Sequence, residues 1–220
     1  MALSFTEENY IKAIYSLSLH SKKGVTTTML SRQLDTKPAS ITDMLQKLSE
    51  KKLIEYKKYY GASLTAKGNK VALEVIRKHR LWEAFLVSKL DFNWDEVHEI
   101  AEQLEHIQSE KLTNKLDAFL GFPAFDPHGD PIPDADGNFP KRKREALENC
   151  EKGDVVTICA VRDSSSELLR YLDRIGIELN CDYTVVEKEE YDSTMLLIDG
   201  EEKRYFLGEK AVKNLWILKD

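Results

Sequence analysis

The sequence predicts a mainly α protein with a small β component in three successive parts, and three observations carry that expectation. Apolar residues recur at helical spacing through most of the first 120 residues, whereas the last seventy alternate in short strand-like runs. Between them, residues 121–149 hold five of the six prolines, marking a long structured loop or linker. Charge is divided as well: residues 1–80 carry 15 Lys/Arg against 7 Asp/Glu (+8), and the remainder carries 17 against 31 (−14). The formal net charge of −6 thus hides a basic N-terminal part on an acidic body, which suits a DNA-binding module attached to something else. The three parts are expected at 1–70, 71–149 and 150–220.

In the first part, Ser4 or Thr6 can cap a helix over about 5–20, with Tyr10, Ile14 and Leu17 at helical spacing. A short helix ends at Leu34, and Pro38 opens the next, whose Ile41, Leu45 and Leu48, with Leu53 beyond, face inward. The runs IEYKKYYG and ASLTAKG flank a glycine and read as a β-hairpin. Helix, short helix, tight turn, helix and basic hairpin make a winged helix-turn-helix, whose second paired helix enters the DNA major groove. Lys37, Ser40, Thr42 and Asp43 are expected on the front of that helix, with Lys47 further along, and Lys57, Lys58, Tyr59 and Tyr60 in the wing. Ordinary solvated faces would use the same residue types; the basic balance and the order of the elements favour DNA.

One long helix is expected from Thr65 to about Leu90. Its Ala72, Val75, Ile76, Leu81, Phe85 and Leu86 exceed what a surface helix buries alone, so part of it should serve an oligomer interface. Asn93 and Glu96 have the spacing of a capping box for the following helix. That helix carries HEIAEQLEH, residues 98–106, in which His98, Glu102, Glu105 and His106 fall within roughly 100° of arc if the helix is regular. Val97, Ile100, Ala101, Leu104 and Ile107 would form the buried stripe. His79 and Glu83 repeat the i,i+4 pairing on the preceding helix. Converging imidazoles and carboxylates can hold a metal, or can be a solvated row of ion pairs. SEKLTNKLDAFL supplies one more helix, and turn chemistry accounts for Asp126, His128 and Asp130 as well as a metal would.

The last part reads as strand-like runs, one short helix and a hairpin turn at Asp199-Gly200, a small β-barrel of SH3 type. Cys150, Cys159 and Cys181 are odd in number and form no CxxC pair, as expected of small buried residues in a reduced, cytoplasmic protein. No apolar run approaches the ~20 residues of a membrane span. No phosphate loop, nucleophile elbow or HExxH occurs, so an enzyme is not expected.

The segments ENYIKAIYSL, LTAKGNKVA, RKHRLWEAFL, VHEIAEQLEH and HGDPIP, with the SH3-like end, resemble the diphtheria-toxin-repressor/manganese-regulator family of metal-dependent transcriptional repressors over nearly the whole chain. The resemblance implies an ancillary metal site at His79, Glu83 and His98, and a primary one at Glu102, Glu105 and His106 with Asn9 from the first helix. Asn9 stands where relatives have Met or Asp, Lys12 where manganese-type relatives have an acid, and Glu102 where iron-type relatives have Cys. Glu102 favours a hard cation, so Mn²⁺ or Fe²⁺ is expected, with Zn²⁺ or Co²⁺ as in-vitro surrogates, and Lys12 disfavours a close pair of ions. Glu167 is a further candidate ligand, although Ser164 and Glu167 also have capping-box spacing. The implied function is a homodimeric repressor of metal-uptake genes on a palindromic operator. A metal-independent winged-helix regulator and a metal hydrolase are the alternatives.

Overall fold

The computed structural model describes residues 3–21, 24–57 and 60–219. Its contacts divide the chain into two compact units: Met1–His79, Glu102–Lys115 and Pro133–Asn138 in one; Arg80–Ala101, Leu116–Ile132 and Phe139–Asp220 in the other.

In the first unit, α1 (Phe5–Ser18) starts from a complete capping box. The Ser4 hydroxyl accepts from the Glu7 N–H, and the Glu7 carboxylate accepts from the Ser4 N–H, which satisfies two otherwise orphaned donors. Thr26 caps α2 (Thr27–Gln33), and Pro38 occupies the first turn of α3 (Pro38–Glu50), where its missing N–H costs nothing. Ile11, Ile14, Leu30, Ile41, Leu45 and Leu48 are fully buried together, so the apolar spacing packs three helices as expected. Strands β1 (Ile54–Lys57) and β2 (Gly61–Leu64) pair antiparallel as the wing, and Val25 exchanges both backbone hydrogen bonds with Ala62. Lys57 and Tyr60 are exposed in it; Lys58 and Tyr59 lie outside the described residues.

The long helix α4 (Ala66–Leu90) contributes its first part to one unit and its second to the other, as do α5 (Val97–Leu104) and α6 (Glu110–Phe119). The expected cap at Asn93 is corrected: residues 94–96 form a turn and α5 begins at Val97. The Asn93 amide donates to Glu96 Oε2 at 3.3 Å, so its side chain gives a proton to the turn and accepts none from the helix. In the second unit Leu81, Leu116 and Ile132 form a small core, with Trp82, Phe85 and Leu120 against it.

The C-terminal residues of the second unit form a six-stranded antiparallel sheet of β3 (Glu145–Ala146), β4 (Val155–Val161), β5 (Cys181–Lys188), β6 (Met195–Ile198), β7 (Arg204–Leu207) and β8 (Leu215–Lys219). Its order is β3-β8-β4-β5-β6-β7, an SH3-like arrangement whose end strands remain edges among the described residues. Helix α7 (Ser166–Ile175) closes one face, burying Leu168, Leu169 and Leu172 on Ile158, Val185 and Leu197. Its N-cap is Ser165 without a side-chain bond, so the Ser164–Glu167 capping box does not form. The β6–β7 turn spans five residues: Asp199 Oδ1 accepts from the Glu201 and Lys203 N–H groups, and Glu202, rather than Gly200, takes the positive φ. The cysteines are free, with Cys150 and Cys159 buried. No helix among the described residues is long and apolar enough to cross a membrane.

The Asp126–Pro131 loop is tied to this sheet, because the Val161 N–H donates to the His128 carbonyl at 2.9 Å. Gly129 makes that approach possible: its φ is +84°, and a Cβ there would lie 2.2 Å from the Cys159 carbonyl oxygen. Gly129→Ala should therefore cost about 2 kcal/mol through backbone strain and the clash. Thermal melting checks this, and an unchanged midpoint would show that the loop is not held against β4.

Candidate metal centres and DNA-binding face

Helix α5 stops at Leu104, which changes the geometry expected of its last charged residues. Glu105 and His106 sit in the turn beyond it and are buried, at 0% and 6% exposure, while Ile107 is 38% exposed. The expected apolar stripe thus holds for Val97 and Ala101 and inverts at its end. His98, near the start of α5, is exposed.

A buried carboxylate needs charge compensation and hydrogen bonds. Glu105 obtains them within the first unit: His79 Nδ1 lies 2.6 Å from its Oε2, and Lys12 Nζ lies 2.8 Å from it and also pairs with Glu102. Burial alone would raise the Glu105 pKa, but the bond from His79 and the Lys12 charge outweigh it and hold the carboxyl below its usual range. His79, Glu102 and Glu105 each offer an oxygen or nitrogen within 4.8 Å of the others, a spacing a metal ion could occupy. On the other side, His106 Nε2 is 3.9 Å from Glu105 Oε1, and His106 Nδ1 is 2.6 Å from Glu8 of α1. Gln108 donates to the second Glu8 oxygen at 2.6 Å, and Phe5 stacks on the His106 ring. Glu8 is not among the residues the sequence points to; the signal for it is its spacing of four from Lys12, on one face of α1. Asn9, expected as the α1 ligand, has a buried Oδ1 that accepts no hydrogen bond.

The second unit holds Glu83 and His98, whose Oε1 and Nδ1 are 3.4 Å apart. Glu83, Asp126 and His128 form a buried triad of possible ligands, so His128 enters a cluster that sequence reasoning explained as turn chemistry. That chemistry is present too, since Asp126 Oδ1 accepts from the His128 and Asp130 N–H groups at 2.9 Å. Burial, Glu83 and Asp130 push the Asp126 pKa up to about 7 against the pull of Arg80 and His128. Burial opposes the His128 imidazolium, but Glu83 and Asp126 raise its pKa to about 9. His128 Nε2 bonds the Trp94 carbonyl at 2.7 Å, and the Trp94 indole N–H bonds Asp173 of α7. Glu167 is exposed at the start of α7 and belongs to no such group among the described residues.

On α3, Lys37, Ser40, Asp43 and Lys47 are exposed; Lys47 lies 3.2 Å from Glu7, and the Thr42 hydroxyl donates back to the Pro38 carbonyl.

These features define a class: winged-helix regulators in which the first helix of the DNA-binding fold is fastened to a buried cluster of carboxylates and imidazoles. Residues 2–62 match the iron-dependent repressor N-terminal DNA-binding domain. Residues 65–134 match the iron-dependent repressor metal-binding and dimerisation domain, and 146–219 the FeoA domain. The chain is similar to a solved structure described as a manganese-dependent transcriptional repressor in complex with manganese, at 35% identity and a TM-score of 0.87, covering 97% of this chain and 100% of that one. It is 33% identical over 130 residues to the iron-dependent repressor IdeR of Mycobacterium tuberculosis, covering 58% of this chain and 55% of that protein. A segment of 71 residues is 49% identical to a probable metal transport system membrane protein of Chlamydia trachomatis, covering 32% of this chain and 16% of that protein. The chain thus spans about half, or less, of these two curated relatives. It belongs to the iron-dependent repressor family, a family of transcriptional repressors and not of enzymes.

Proposed function

We propose that the protein is a cytoplasmic, homodimeric repressor of metal-uptake genes whose affinity for a palindromic operator rises when it holds Mn²⁺ or Fe²⁺. The parts at 1–70, 71–149 and 150–220 then serve DNA binding, metal sensing with dimerisation, and support of the sensor. The observation that carries this is the bond between Glu8 of α1 and His106, and the residue after Glu8, Asn9, has a buried oxygen without a hydrogen-bond partner. An orphaned buried carbonyl oxygen is costly unless something accepts its lone pairs, and a hard cation would. The residues therefore fit a metal: Asn9, Glu102, Glu105 and His106 would hold it in the first centre, and Glu83, Asp126 and His128 in the second, beside His98. A divalent cation bound there supplies the positive charge that lets several carboxylates share one point. Glu8 and Gln108 orient the His106 ring, and Phe5 covers it from solvent. Because Glu8, Asn9 and Lys12 all belong to α1, any shift of this cluster is felt by the DNA-binding fold. Glu102 and Asp126 supply oxygen where softer metals would prefer sulfur, which supports Mn²⁺ or Fe²⁺. Half-buried Trp82 and Phe85 and exposed Phe119 supply aromatic surface for the dimer.

Fluorescence anisotropy on a palindromic operator, titrated with Mn²⁺, Fe²⁺, Zn²⁺ or Co²⁺, tests the proposal. Affinity that is the same with and without metal would leave the metal-independent regulator as the better reading. Binding should also weaken with salt, since log K falls by about 0.9 per phosphate neutralised for each log unit of salt. Replacing Lys37 and Lys57 by Ala in each protomer should flatten that slope by roughly one per lost contact while leaving metal affinity alone. An unchanged slope would take these two residues off the DNA.

A further inference from the structure

Lys12 occupies an unusual position for a surface-helix lysine. Its ammonium lies 2.8 Å from both oxygens of the buried Glu105 and pairs with Glu102. Both carboxylates belong, with His79, to a group whose spacing would suit a metal ion. Glu105 also faces His106, where Glu105 Oε1 and His106 Nε2 are 3.9 Å apart. The cluster therefore has a His79 side and a His106 side, and Glu105 faces both. The His79 side already contains a cation, the Lys12 ammonium.

Resting on the metal-sensing reading above, we infer that Lys12 is a tethered cation that permanently fills the His79 side, so that the first centre takes one divalent ion, never two. The physical argument is competition. Because the ammonium is carried on α1, it is present at a high effective concentration and cannot be diluted away. A second divalent ion would have to displace it from two carboxylates or bind beside it against like-charge repulsion. Lys12 also neutralises Glu105 when no metal is bound, which lets a metal-free chain keep that carboxylate buried. The count of ions per centre is then set by one residue of the DNA-binding fold.

The test is Mn²⁺ bound per chain, measured by equilibrium dialysis of the full-length protein, with electron paramagnetic resonance of the same samples. Wild type should give only isolated-ion signals. Lys12→Glu should bind one more Mn²⁺ per chain and show the broadened spectrum of two ions held close together. Lys12→Gln removes the ammonium without adding a carboxylate, guards against misfolding of the Glu variant, and should gain the same ion at higher free Mn²⁺. An unchanged count in both variants, or a paired-ion spectrum in wild type, overturns the inference. Glu105→Ala separates the two levels: if it keeps the wild-type count, the centre itself is misplaced, and the inference falls with it.

Discussion

Glu105→Ala should abolish metal-activated DNA binding and also destabilise the metal-free protein by about 3 kcal/mol. The side chain is 0% exposed and is bonded to His79 and Lys12 together. Removing it leaves an ammonium and an imidazole in a buried place facing the half-exposed Glu102. Breaking a buried pair from one side costs roughly 3–5 kcal/mol, and the remaining Glu102 places this case at the lower end. In a chain of this size that corresponds to a melting point lowered by about 6–12 °C. The sequence leads to a different expectation, because Glu105 falls off the Val97/Ile100/Leu104/Ile107 stripe and would then be dispensable for folding. Melting of the metal-free protein decides between them: a midpoint within a degree of wild type would mean that the Lys12–Glu105–His79 contacts contribute nothing to folding.

The difference shows what a sequence can and cannot disclose. Capping and periodicity are local, so α1 to α3 and the wing were legible from Ser4, Glu7, Pro38 and the Ile41/Leu45/Leu48 spacing. The face of HEIAEQLEH was read by assuming a regular helix, and that arithmetic loses meaning once α5 ends at Leu104. Glu105 and His106 then point where the turn sends them. Asn93 differs from expectation for a related reason: a box's spacing also fits the turn at 94–96 that precedes the helix. His128 was hidden because Asp126 and Gly129 are sufficient for the turn, and only the tertiary approach of Glu83 reveals a second use. Strand β3, two residues long at the end of a proline-rich segment, carries no period to detect.

Asn9→Leu should separate folding from response, with opposite signs. In the metal-free protein the Asn9 carbonyl oxygen is buried and accepts no hydrogen bond, so replacing it by an apolar side chain of similar volume removes an unsatisfied polar group. Stability is expected to stay level or rise by up to about 1 kcal/mol. Metal should still reach Glu102, Glu105 and His106, which Asn9 does not position. The tie from that centre to α1 should weaken, because α1 then offers no neutral oxygen to the ion. A coupling of 1–3 kcal/mol between metal and DNA corresponds to roughly 5- to 150-fold in affinity, and in this variant that gain should fall toward one. Asn9→Asp is the informative partner: a carboxylate is the stronger ligand, so activation should move to lower free Mn²⁺, although Lys12, one helical turn away minus a residue, can pair with the new acid and blunt the shift. Both variants are read by anisotropy on the operator across a Mn²⁺ titration, alongside Mn²⁺ bound per chain. If Asn9→Leu is activated at the same free Mn²⁺ and to the same DNA affinity as wild type, Asn9 is no ligand, and the bond between Glu8 and His106 must carry the coupling alone.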